Sequence, residues 1–432
     1  MKKDSTRIQG KQAIRNGKGR LAPVSDARRR YMAANMLELG VNLAIAQLAE
    51  FFEEDALELV GVERHQRGPR RAAYRYGSTN GLVTLGGQQL KIQRPRVRMD
   101  GGEMVLPSYA HFSSREQIDE RSLLQVLAGV TSRRYKSSLE TDGIADTQGA
   151  SKSAMNRRFL MMTAKQLETW LARRLDGEEY LVIMIDGIVL GETTVVGALG
   201  ITSDGHKRLL GAWDGATENS EVCQMLLDDL IRRGLDAKVS CLFVLDGAKA
   251  LHKAVRDTFG KRMKLQRCQV HKIRNVTEQL PKELRASVKQ AMHQAYQSGE
   301  LKVARQQLLN VANRLKVNHP RAAASVLEGL EETLTVIALN LPAGLRRLLA
   351  TTNALENTNG TLRSTAGKVK RWRNGQMALR WVVTSFVYAE RRFRVLYGHK
   401  NLLVLRERLR AHDQEIDACH KVATATTEKK AA

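Results

Sequence analysis

Apolar and polar positions follow a strand-like pattern over the central part of the chain. Three consecutive strands are predicted by the apolar runs LVIMIDGIVL (181–190), TTVVGALGIT (193–202) and RLLGAWDG (208–215), with SDGHK (203–207) as the second turn. Two further strands are predicted by VSCLFVLD (239–246) and MKLQR (263–267). Runs that are apolar throughout are typical of strands with both faces buried, so we expect the sheet of an α/β domain here.

Helical spacing of apolar residues separates these strands. A helix is predicted by each of the stretches ENSEVCQMLLDDLIRRG (218–234), GAKALHKAVRDTFG (247–260) and CQVHKIRNVTEQL (268–280). Asn219 or Ser220 suits the start of the first helix, and Gly234 suits its end. The resulting order, β-β-β-α-β-α-β-α, is that of a ribonuclease-H-like domain with a mixed sheet. We assign residues 176–275 to the first part of this domain.

The N-terminal region has a different pattern. Residues 1–30 are basic and polar without a sustained period, which predicts a flexible tail. Residues 31–60 carry apolar side chains at helical spacing and predict one or two helices. The stretch GLVTLGGQQLKIQRPRVRM (81–99) alternates around LGGQ and predicts a β-hairpin with a glycine turn. We therefore expect residues 31–115 to form a small α+β module.

Residues 116–175 return to a helical pattern in three stretches: SLLQVLAGV (122–130), SRRYKSSLETDG (132–143) and GASKSAMNRRFLMMTAKQLETWLARR (149–174). The third stretch begins with polar and basic side chains, namely Lys152, Ser153, Asn156, Arg157 and Arg158. This spacing suits a helix-turn-helix whose last helix contacts base edges and phosphates of DNA. Short helices in ordinary bundles carry similar residues, so both interpretations stay open.

The remainder of the chain is predicted to be helical. Residues 276–345 indicate an all-α insertion into the α/β domain. Residues 346–400 resume that domain with a helix that starts near TTNALEN (351–357), and residues 401–432 predict a C-terminal helix and tail.

The charge balance points to a polyanionic partner. The 432 residues include 70 Lys and Arg against 45 Asp and Glu, a formal net charge of +25. Residues 346–432 alone contain 18 basic and 7 acidic residues, a net charge of +11. Such an excess neutralises phosphates and releases counterions, so double-stranded DNA is the expected partner. Any single basic cluster also fits the solvated face of an amphipathic helix.

Other classes of protein fit the composition less well. No apolar run approaches the roughly 20 residues that span a bilayer, and the first residues lack the apolar core of a secretion signal. We therefore expect a cytoplasmic protein without a membrane partner. The four cysteines contain no C-x-x-C pair, so neither a disulfide framework nor a four-ligand zinc site is indicated.

Two predicted strands run into an aspartate that is followed by glycine. Asp186 follows LVIMI and Asp246 follows CLFVL. If these strands are neighbours, the two carboxylates converge and repel each other unless a cation lies between them, which predicts Mg²⁺ or Mn²⁺. The following glycines would leave room for the ion, water or a phosphate. Asp-Gly is also an ordinary turn, but two sites in matching context favour a metal site.

Metal-assisted phosphoryl transfer by two ions needs a third carboxylate, because ions about 4 Å apart need more ligands than two aspartates supply. The downstream candidates are Glu328, Glu331, Glu332, Glu356 and Glu390. The first three fall in the predicted insertion, and Glu390 precedes two arginines, as on an ion-paired surface. Glu356 lies one turn into a predicted helix among Asn353, Asn357 and Asn359, and is the preferred candidate.

The chain resembles the mutator-type transposases of bacterial insertion sequences over roughly residues 75–400. The resemblance is carried by the ordered motifs IDGI (185–188), GALGITSDGHKRLLGAWDGATENS (197–220), DGAKALHKAV (246–255), CQVHKIRN (268–275) and TTNALENTNGTLR (351–363). It implies that Asp186, Asp246 and Glu356 form a catalytic Asp-Asp-Glu triad holding two ions per active site. It also implies that Cys268 and His271 lie near this centre, although packed, non-catalytic roles for both stay open.

The expected function is that of a DNA transposase that cleaves and joins strands at the inverted-repeat ends of its own element, and paired ends suggest a homodimer. Phosphate contacts near the acids are predicted for Lys249, Lys272, Arg274 and Arg363. Two rival hypotheses are a non-catalytic DNA-binding protein, either a domesticated transposase or a repressor, and a structure-specific nuclease of the same fold.

Overall fold

The computed structural model describes residues 26–62, 73–85, 88–114, 116–139, 147–148, 150–215 and 220–431. The chain divides into two compact units, of which the first comprises Met1–Ser122 and Ser132–Met155 and the second Leu123–Thr131 and Asn156–Ala432. The described helices include none with the length and apolarity that crossing a bilayer requires.

The chain up to residue 171 is a mixture of helices and short strands. Its elements are α1 (Asp26–Val60), β1 (Ala73–Leu85), β2 (Gln88–Met99), β3 (Gly102–Met104), α2 (Pro107–Ser113), α3 (Glu116–Leu127), β4 (Thr147–Gln148) and α4 (Lys152–Leu171). Strands β1 and β2 form an antiparallel hairpin, and β3 and β4 both pair with β2. The apolar face of α1, including Leu48, Phe52 and Ala56, packs in one cluster with Val83 and Leu90 of the hairpin.

Two details differ from the sequence-based expectations for this region. A single helix begins at Asp26, so residues 26–30 are helical rather than part of the predicted tail, whose residues 1–25 lie outside the described residues. The hairpin strand β1 begins at Ala73 rather than at residue 81. The predicted turn glycines, Gly86 and Gly87, also lie outside the described residues.

The second helix of the predicted helix-turn-helix is not formed over residues 132–139. This segment contains turns and a 3-10 helix, Lys136–Ser138. The hydroxyl of Ser138 donates to the main-chain oxygen of Tyr135 (2.6 Å), a local bond that competes with helix continuation. The buried Tyr135 in turn hydrogen-bonds through its hydroxyl with Ser122 (3.1 Å). Residues 140–146 of the same stretch lie outside the described part.

The second unit is built on a mixed sheet with the predicted order of elements. These elements are β5 (Tyr180–Leu190), β6 (Thr193–Thr202), β7 (Lys207–Gly215), α5 (Ser220–Arg232), β8 (Cys241–Leu245), α6 (Lys249–Phe259), β9 (Met263–Arg267) and α7 (Gln269–Glu278). The described strands lie in the order β7-β6-β5-β8-β9. Strands β5, β6 and β7 are antiparallel neighbours, whereas β8 and β9 continue parallel to β5.

Alternation of side chains along β5 creates two cores, one on each face of the sheet. Ile183 and Ile185 pack in the cluster that contains the apolar residues of α5 and α6. Val182 and Met184 pack in the larger cluster on the opposite face. The continuous apolar run of β5 is therefore a strand buried on both faces, as its sequence predicts.

The helices after the sheet complete the second unit. They are α8 (Lys282–Gln297), α9 (Leu301–Leu315), α10 (Pro320–Leu327), α11 (Leu330–Thr333), α12 (Thr335–Ala338), α13 (Ala343–Leu349), α14 (Asn353–Ala366), α15 (Gly375–Glu390) and α16 (Leu402–Ala431). The described residues from 276 to 345 contain helices and turns, as predicted for the insertion. The side chain of Gln266 on β9 joins this insertion to the sheet through Thr333 O (3.0 Å) and Val336 N (3.0 Å).

A buried ion pair connects α5 to the sheet. The guanidinium of Arg233 is 2% exposed and donates to Asp229 (2.9 Å), to Arg173 O (3.2 Å) and to Leu210 O. Asp229 also contacts Arg232, whose side chain is 69% exposed. The two neighbouring arginines therefore share one acid but differ in burial.

We expect Arg233→Ala to lower the free energy of unfolding by about 3–5 kcal/mol, because it leaves the Asp229 carboxylate buried without its main partner. Arg232→Ala is the matched control and should cost less than about 1 kcal/mol, as for an exposed ion pair. Urea unfolding of both variants measures the difference. Equal costs for the two substitutions would contradict this role for Arg233.

Candidate active site

Pairing of two parallel strands brings Asp186 and Asp246 together. The paired register of β5 and β8 ends with Ile185 opposite Leu245, and each aspartate is the next residue of its chain. Neighbouring strands lie about 4.8 Å apart, so the two acids begin from adjacent backbone positions. Asp246 follows the end of β8, whereas Asp186 lies within β5, because β5 continues to Leu190 along its antiparallel neighbour β6.

The same alternation that forms two cores directs Asp186 towards one face of the sheet. Asp186 follows Val182 and Met184 at spacings of two residues and so shares their face. On that face it meets α14, where the side-chain amide of Asn359 donates to its carboxylate (3.2 Å). Asn359 is itself 3% exposed, which makes this a buried contact between the strand and the helix.

Helix α14 also carries Glu356 in its first turn. Leu355 and Leu362 are buried in the larger core and fix this face of the helix against the sheet. The hydroxyl of Thr352 donates to a carboxylate oxygen of Glu356 (3.0 Å). One carboxylate oxygen of Glu356 is therefore held by Thr352, directly before its own helix, and the Glu356 side chain remains 30% exposed.

The four other downstream acids are each bound to a basic side chain. The pairs are Glu328–Arg267 (3.4 Å), Glu331–Arg305 (2.6 Å), Glu332–His252 (3.4 Å) and Glu390–Arg173 (3.1 Å). Glu390 also accepts a hydrogen bond from the main-chain amide of Leu209 (2.9 Å), so it is a structural link between α15 and the sheet. Glu356 has a basic neighbour too, His271 (3.7 Å), but it is the downstream acid whose carboxylate raises the pKa of Asp186.

The pKa of Asp186 is raised to about 6. Burial is the largest cause, His271 acts against it, and the carboxylates of Asp246 and Glu356 add smaller contributions that raise the pKa. The shift therefore reflects removal of the Asp186 carboxylate from water more than the charge of its neighbours.

Cys268 and His271 lie beside Glu356. Nε2 of His271 is 3.7 Å from the Glu356 carboxylate, and ligand atoms of Cys268, His271 and Glu356 all lie within 4.8 Å of one another. The adjacent Cys268 contributes most to raising the pKa of His271 to about 9, and Asp186 and Glu356 add to it against the effect of burial. The protonated imidazole therefore supplies positive charge next to the acids.

The thiol of Cys268 is fully buried, and its Sγ lies 3.5 Å from the hydroxyl oxygen of Thr352. Burial tends to raise its pKa, but interactions with His271 and Thr352 outweigh burial and lower it. Cys268 thus contributes to the site through Thr352 and His271, which both contact Glu356.

The glycine after Asp246 has a different role from the one predicted. A Cβ atom at Gly247 would lie 2.4 Å from the guanidinium of Arg267, so this glycine makes space for an arginine rather than for an ion or phosphate. Arg267 is nearly buried and donates to Glu328 O (3.1 Å). Gly187 pairs with Val196 inside the sheet.

The predicted DNA contacts fall into two groups. Exposed side chains are found at Lys152, Ser153, Asn156 and Arg157 on α4, with Arg158 half-buried, and at Lys249, Arg274 and Arg363 near the acids. Lys272 is 1% exposed, and its ammonium donates to Glu328 O. Lys272 therefore fixes the insertion to α7, and the prediction of a phosphate contact at this position does not fit the structure.

Thr352 was not predicted as a site residue. Its place before the helix suggests an ordinary capping threonine, yet its hydroxyl makes no capping bond and instead contacts Glu356 and Cys268. The spacing of four residues between Thr352 and Glu356 is the signal that would have indicated this contact.

Asp186, Asp246 and Glu356 could offer carboxylate oxygens, the ligands that Mg²⁺ and Mn²⁺ prefer. Among the described residues, the possible metal ligands that lie within 4.8 Å of one another are those of Cys268, His271 and Glu356, without the two aspartates. Glu356 and Asp246 are partly exposed, so a substrate can reach them from solvent.

Comparison with known proteins adds an independent observation. The family described as "Transposase, Mutator family" matches residues 22–394. The transposase for insertion sequence element ISRM5 of Rhizobium meliloti (strain 1021) is 28% identical over 356 residues, covering 78% of this chain and 83% of that protein. The transposase for insertion sequence element IS6120 of Mycolicibacterium smegmatis is 31% identical over 249 residues, covering 56% and 74% respectively.

A third relative is the transposase for insertion sequence element IS256 in transposon Tn4001 of Staphylococcus aureus. It is 24% identical over 345 residues, which cover 76% of this chain and 83% of the relative.

We expect Asp186→Asn to raise the free energy of unfolding of the metal-free protein at pH 7.5 by about 1–3 kcal/mol, because it removes a buried charge beside two others. The raised pKa of Asp186 favours its protonated form in the folded protein. In the wild type, the stabilisation that comes from protonated Asp186 in the folded protein is fully present below about pH 4. It is lost as the pH rises through about 6.

The stability difference between Asp186→Asn and the wild type should therefore shrink as the pH falls from 7.5 to 5. Urea unfolding in the presence of a chelator measures it at each pH. A variant less stable than the wild type at pH 7.5 would show that the Asp186 charge is compensated in the folded chain.

Proposed function

We propose that this chain, which belongs to the Mutator family of transposases, binds DNA at the ends of an insertion sequence and performs metal-dependent strand cleavage and strand transfer. The proposal is carried by the adjacent positions of Asp186 and Asp246 after the paired register of β5 and β8, and by the effect of both Asp246 and Glu356 on the pKa of Asp186. The relatives named above are transposases of insertion sequence elements, which supports the same activity for this chain.

The proposal includes a ribonuclease-H-like architecture for the second unit. Support comes from the strand order β7-β6-β5-β8-β9, with an antiparallel hairpin and two parallel strands, and from helices on both faces. The proposed catalytic acids lie on β5, directly after β8 and on α14. A DNA-reading role for α4 is proposed as well, on the basis of its exposed polar and basic start at Lys152–Arg157.

Asp186, Asp246 and Glu356 would hold two Mg²⁺ or Mn²⁺ ions. When bound, such ions lower the pKa of a water or 3′-hydroxyl nucleophile and stabilise the leaving oxygen. Asp246 and Glu356 both contribute to the raised pKa of Asp186, after burial, and a cation bound among the three acids would relieve that contribution. Asn359 orients one oxygen of Asp186, and Thr352 orients one oxygen of Glu356, so each acid keeps another oxygen for a ligand.

Protein side chains contribute positioning and charge to the proposed reaction. The imidazolium of His271 beside Glu356 would help to hold a phosphate oxygen or limit repulsion of the DNA by the acids. Exposed Lys249, Arg274 and Arg363 would contact neighbouring phosphates. No covalent protein intermediate is needed, because in-line attack by water or a 3′-hydroxyl on phosphorus suffices.

We expect Asp186→Asn, Asp246→Asn and Glu356→Gln each to lower cleavage of end-containing DNA by more than about 100-fold, since even residues that only hydrogen-bond to metal ligands are worth about 10–100-fold. Binding of the same DNA should be largely retained. The matched control is Glu331→Gln, which makes the same chemical change at an acid paired with Arg305 and should leave cleavage unchanged.

The assay uses a plasmid carrying the DNA that flanks the gene on both sides, with Mg²⁺, and resolves nicks from double-strand breaks on a gel. Mg²⁺ should also raise the melting temperature of the wild type more than that of Asp246→Asn. Strand cleavage that persists in any one of the three acid variants would refute the triad. A homodimer is proposed for the active form, because two DNA ends must be joined together.

A further inference from the structure

A large groove in the second unit lies outside the acidic cluster. It has a volume of about 1550 Å³, beyond the roughly 300–1000 Å³ of pockets that enclose small molecules. Its walls are the start of α4, the turn between β5 and β6, the end of β7 and the segment between α14 and α15. A groove of this size, lined by several elements, is suited to binding a polymer rather than a small molecule.

Four cationic side chains line this groove: Lys370, Arg371, Arg373 and Arg380. Within the described part of the chain, none of the four makes an ion pair or a side-chain hydrogen bond, in contrast to the paired arginines elsewhere in this unit. Unpaired cations on one wall repel one another in the free protein, and a bound polyanion would relieve this repulsion.

Two acids, Glu192 and Asp214, also line the groove. The Asp214 carboxylate lies against Gly375, the first residue of α15, where a Cβ atom would clash with it. The four cations outnumber the two acids, so the lining of the groove has a net charge of +2.

The groove has an aromatic floor that the fold holds in place. Trp372 lies between the cations in sequence and is half-buried. Gly191, in the turn after β5, has φ +65° and approaches this ring so closely that a Cβ atom would lie 3.1 Å from Trp372 Cδ1. An indole flanked by Arg371 and Arg373 combines a flat apolar surface with phosphate-binding groups, as in surfaces that bind nucleic acids.

Two elements that carry the acids lead towards the groove, and their lengths give an estimate of its separation from the acids. Asp186 precedes the end of β5 by four residues, or about 13 Å at the usual rise of a strand. Glu356 precedes the end of α14 by ten residues, or about 15 Å at the usual rise of a helix. One phosphate follows another every 3.4 Å along each strand of B-form DNA, so this separation is about four base pairs.

The face of α14 between Glu356 and the groove carries no side chain at Gly360. Gly360 follows Glu356 by one turn on the same face, and a Cβ atom there would meet nothing within 4 Å. Its backbone has no positive φ. A glycine inside a helix is unfavourable relative to alanine, and neither packing nor backbone conformation of the free protein requires one here.

We propose that the groove of Lys370, Arg371, Trp372, Arg373 and Arg380 binds the DNA duplex about four base pairs from the phosphate at the acidic cluster, with the duplex passing over Gly360. This inference rests on the proposed function, since it takes the acidic cluster as the point of cleavage. The groove thus contributes a second, sequence-independent contact that fixes the direction of the DNA across the active site.

We expect Arg371→Ala/Arg373→Ala to weaken binding of a labelled 30-base-pair duplex and to reduce the slope of log Kd against log[NaCl] by about 1.8, because two phosphate contacts are lost. The matched control is Lys238→Ala/Lys261→Ala, which removes the same charge at the amino-terminal ends of β8 and β9. Its slope should equal that of the wild type. Fluorescence anisotropy measures both.

An unchanged slope in Arg371→Ala/Arg373→Ala, or an equal reduction in both double variants, would overturn the groove assignment. This outcome is separable from failure of the proposed function. If the acid variants lose cleavage while the groove variant keeps the wild-type slope, only the groove is wrong. If an acid variant still cleaves DNA, the proposed function fails first.

We expect Gly360→Gln to raise the melting temperature of the protein, because glutamine favours a helix more than glycine does, and to lower its affinity for the same duplex. Gly344→Gln is the matched control, since Gly344 is also an exposed helical glycine whose Cβ would meet nothing within 4 Å. It should keep the wild-type affinity. Unchanged DNA affinity in the Gly360 variant would contradict passage of the duplex over α14.

Discussion

The register between β5 and β8 is the constraint on which the candidate site depends. Ile185 pairs with Leu245, so the next residue of each chain is an aspartate at the same height in the sheet. The apolar residues before them are buried on both faces, and a shift by one residue would exchange the two cores. Packing of ordinary apolar side chains therefore places the backbones of the two aspartates side by side.

A second consequence of this constraint is that the cluster is held by few polar contacts. Asn359 reaches Asp186 from α14, and Thr352 connects Glu356 with Cys268 at the start of α7. His271, one turn further along α7, adds positive charge next to the acids. Helices α7 and α14 come from parts of the chain separated by the insertion, so the site is complete only when the insertion returns the chain to the sheet.

Much of the sheet was predictable because its strands have a simple local signature. Mainly apolar runs identified β5, β6, β7 and β8, and the short stretch MKLQR identified β9, with small errors at their ends. The helix predicted over 132–143 failed in its described part, because a side-chain hydrogen bond and a buried tyrosine stabilise a turn there. Local propensity carries no information about such a tertiary contact.

The site was predictable in its acids but not in their surroundings. Asp186, Asp246 and Glu356 stand in recognisable motifs, whereas the space beside Gly247 is taken by Arg267 from the neighbouring strand, and Lys272 turns inward to Glu328. Both outcomes depend on which side chain arrives from a distant part of the chain. The groove near Trp372 was missed for the same reason, since its walls come from four separate segments.

The most direct test is an anomalous difference map from crystals of the protein soaked with Mn²⁺ in complex with DNA. Shared ion binding by the three acids predicts manganese peaks within coordination distance of Asp186, Asp246 and Glu356 together. Manganese bound by Cys268 and His271 alone, or a Glu356 carboxylate turned away from ions held by the two aspartates, would contradict it.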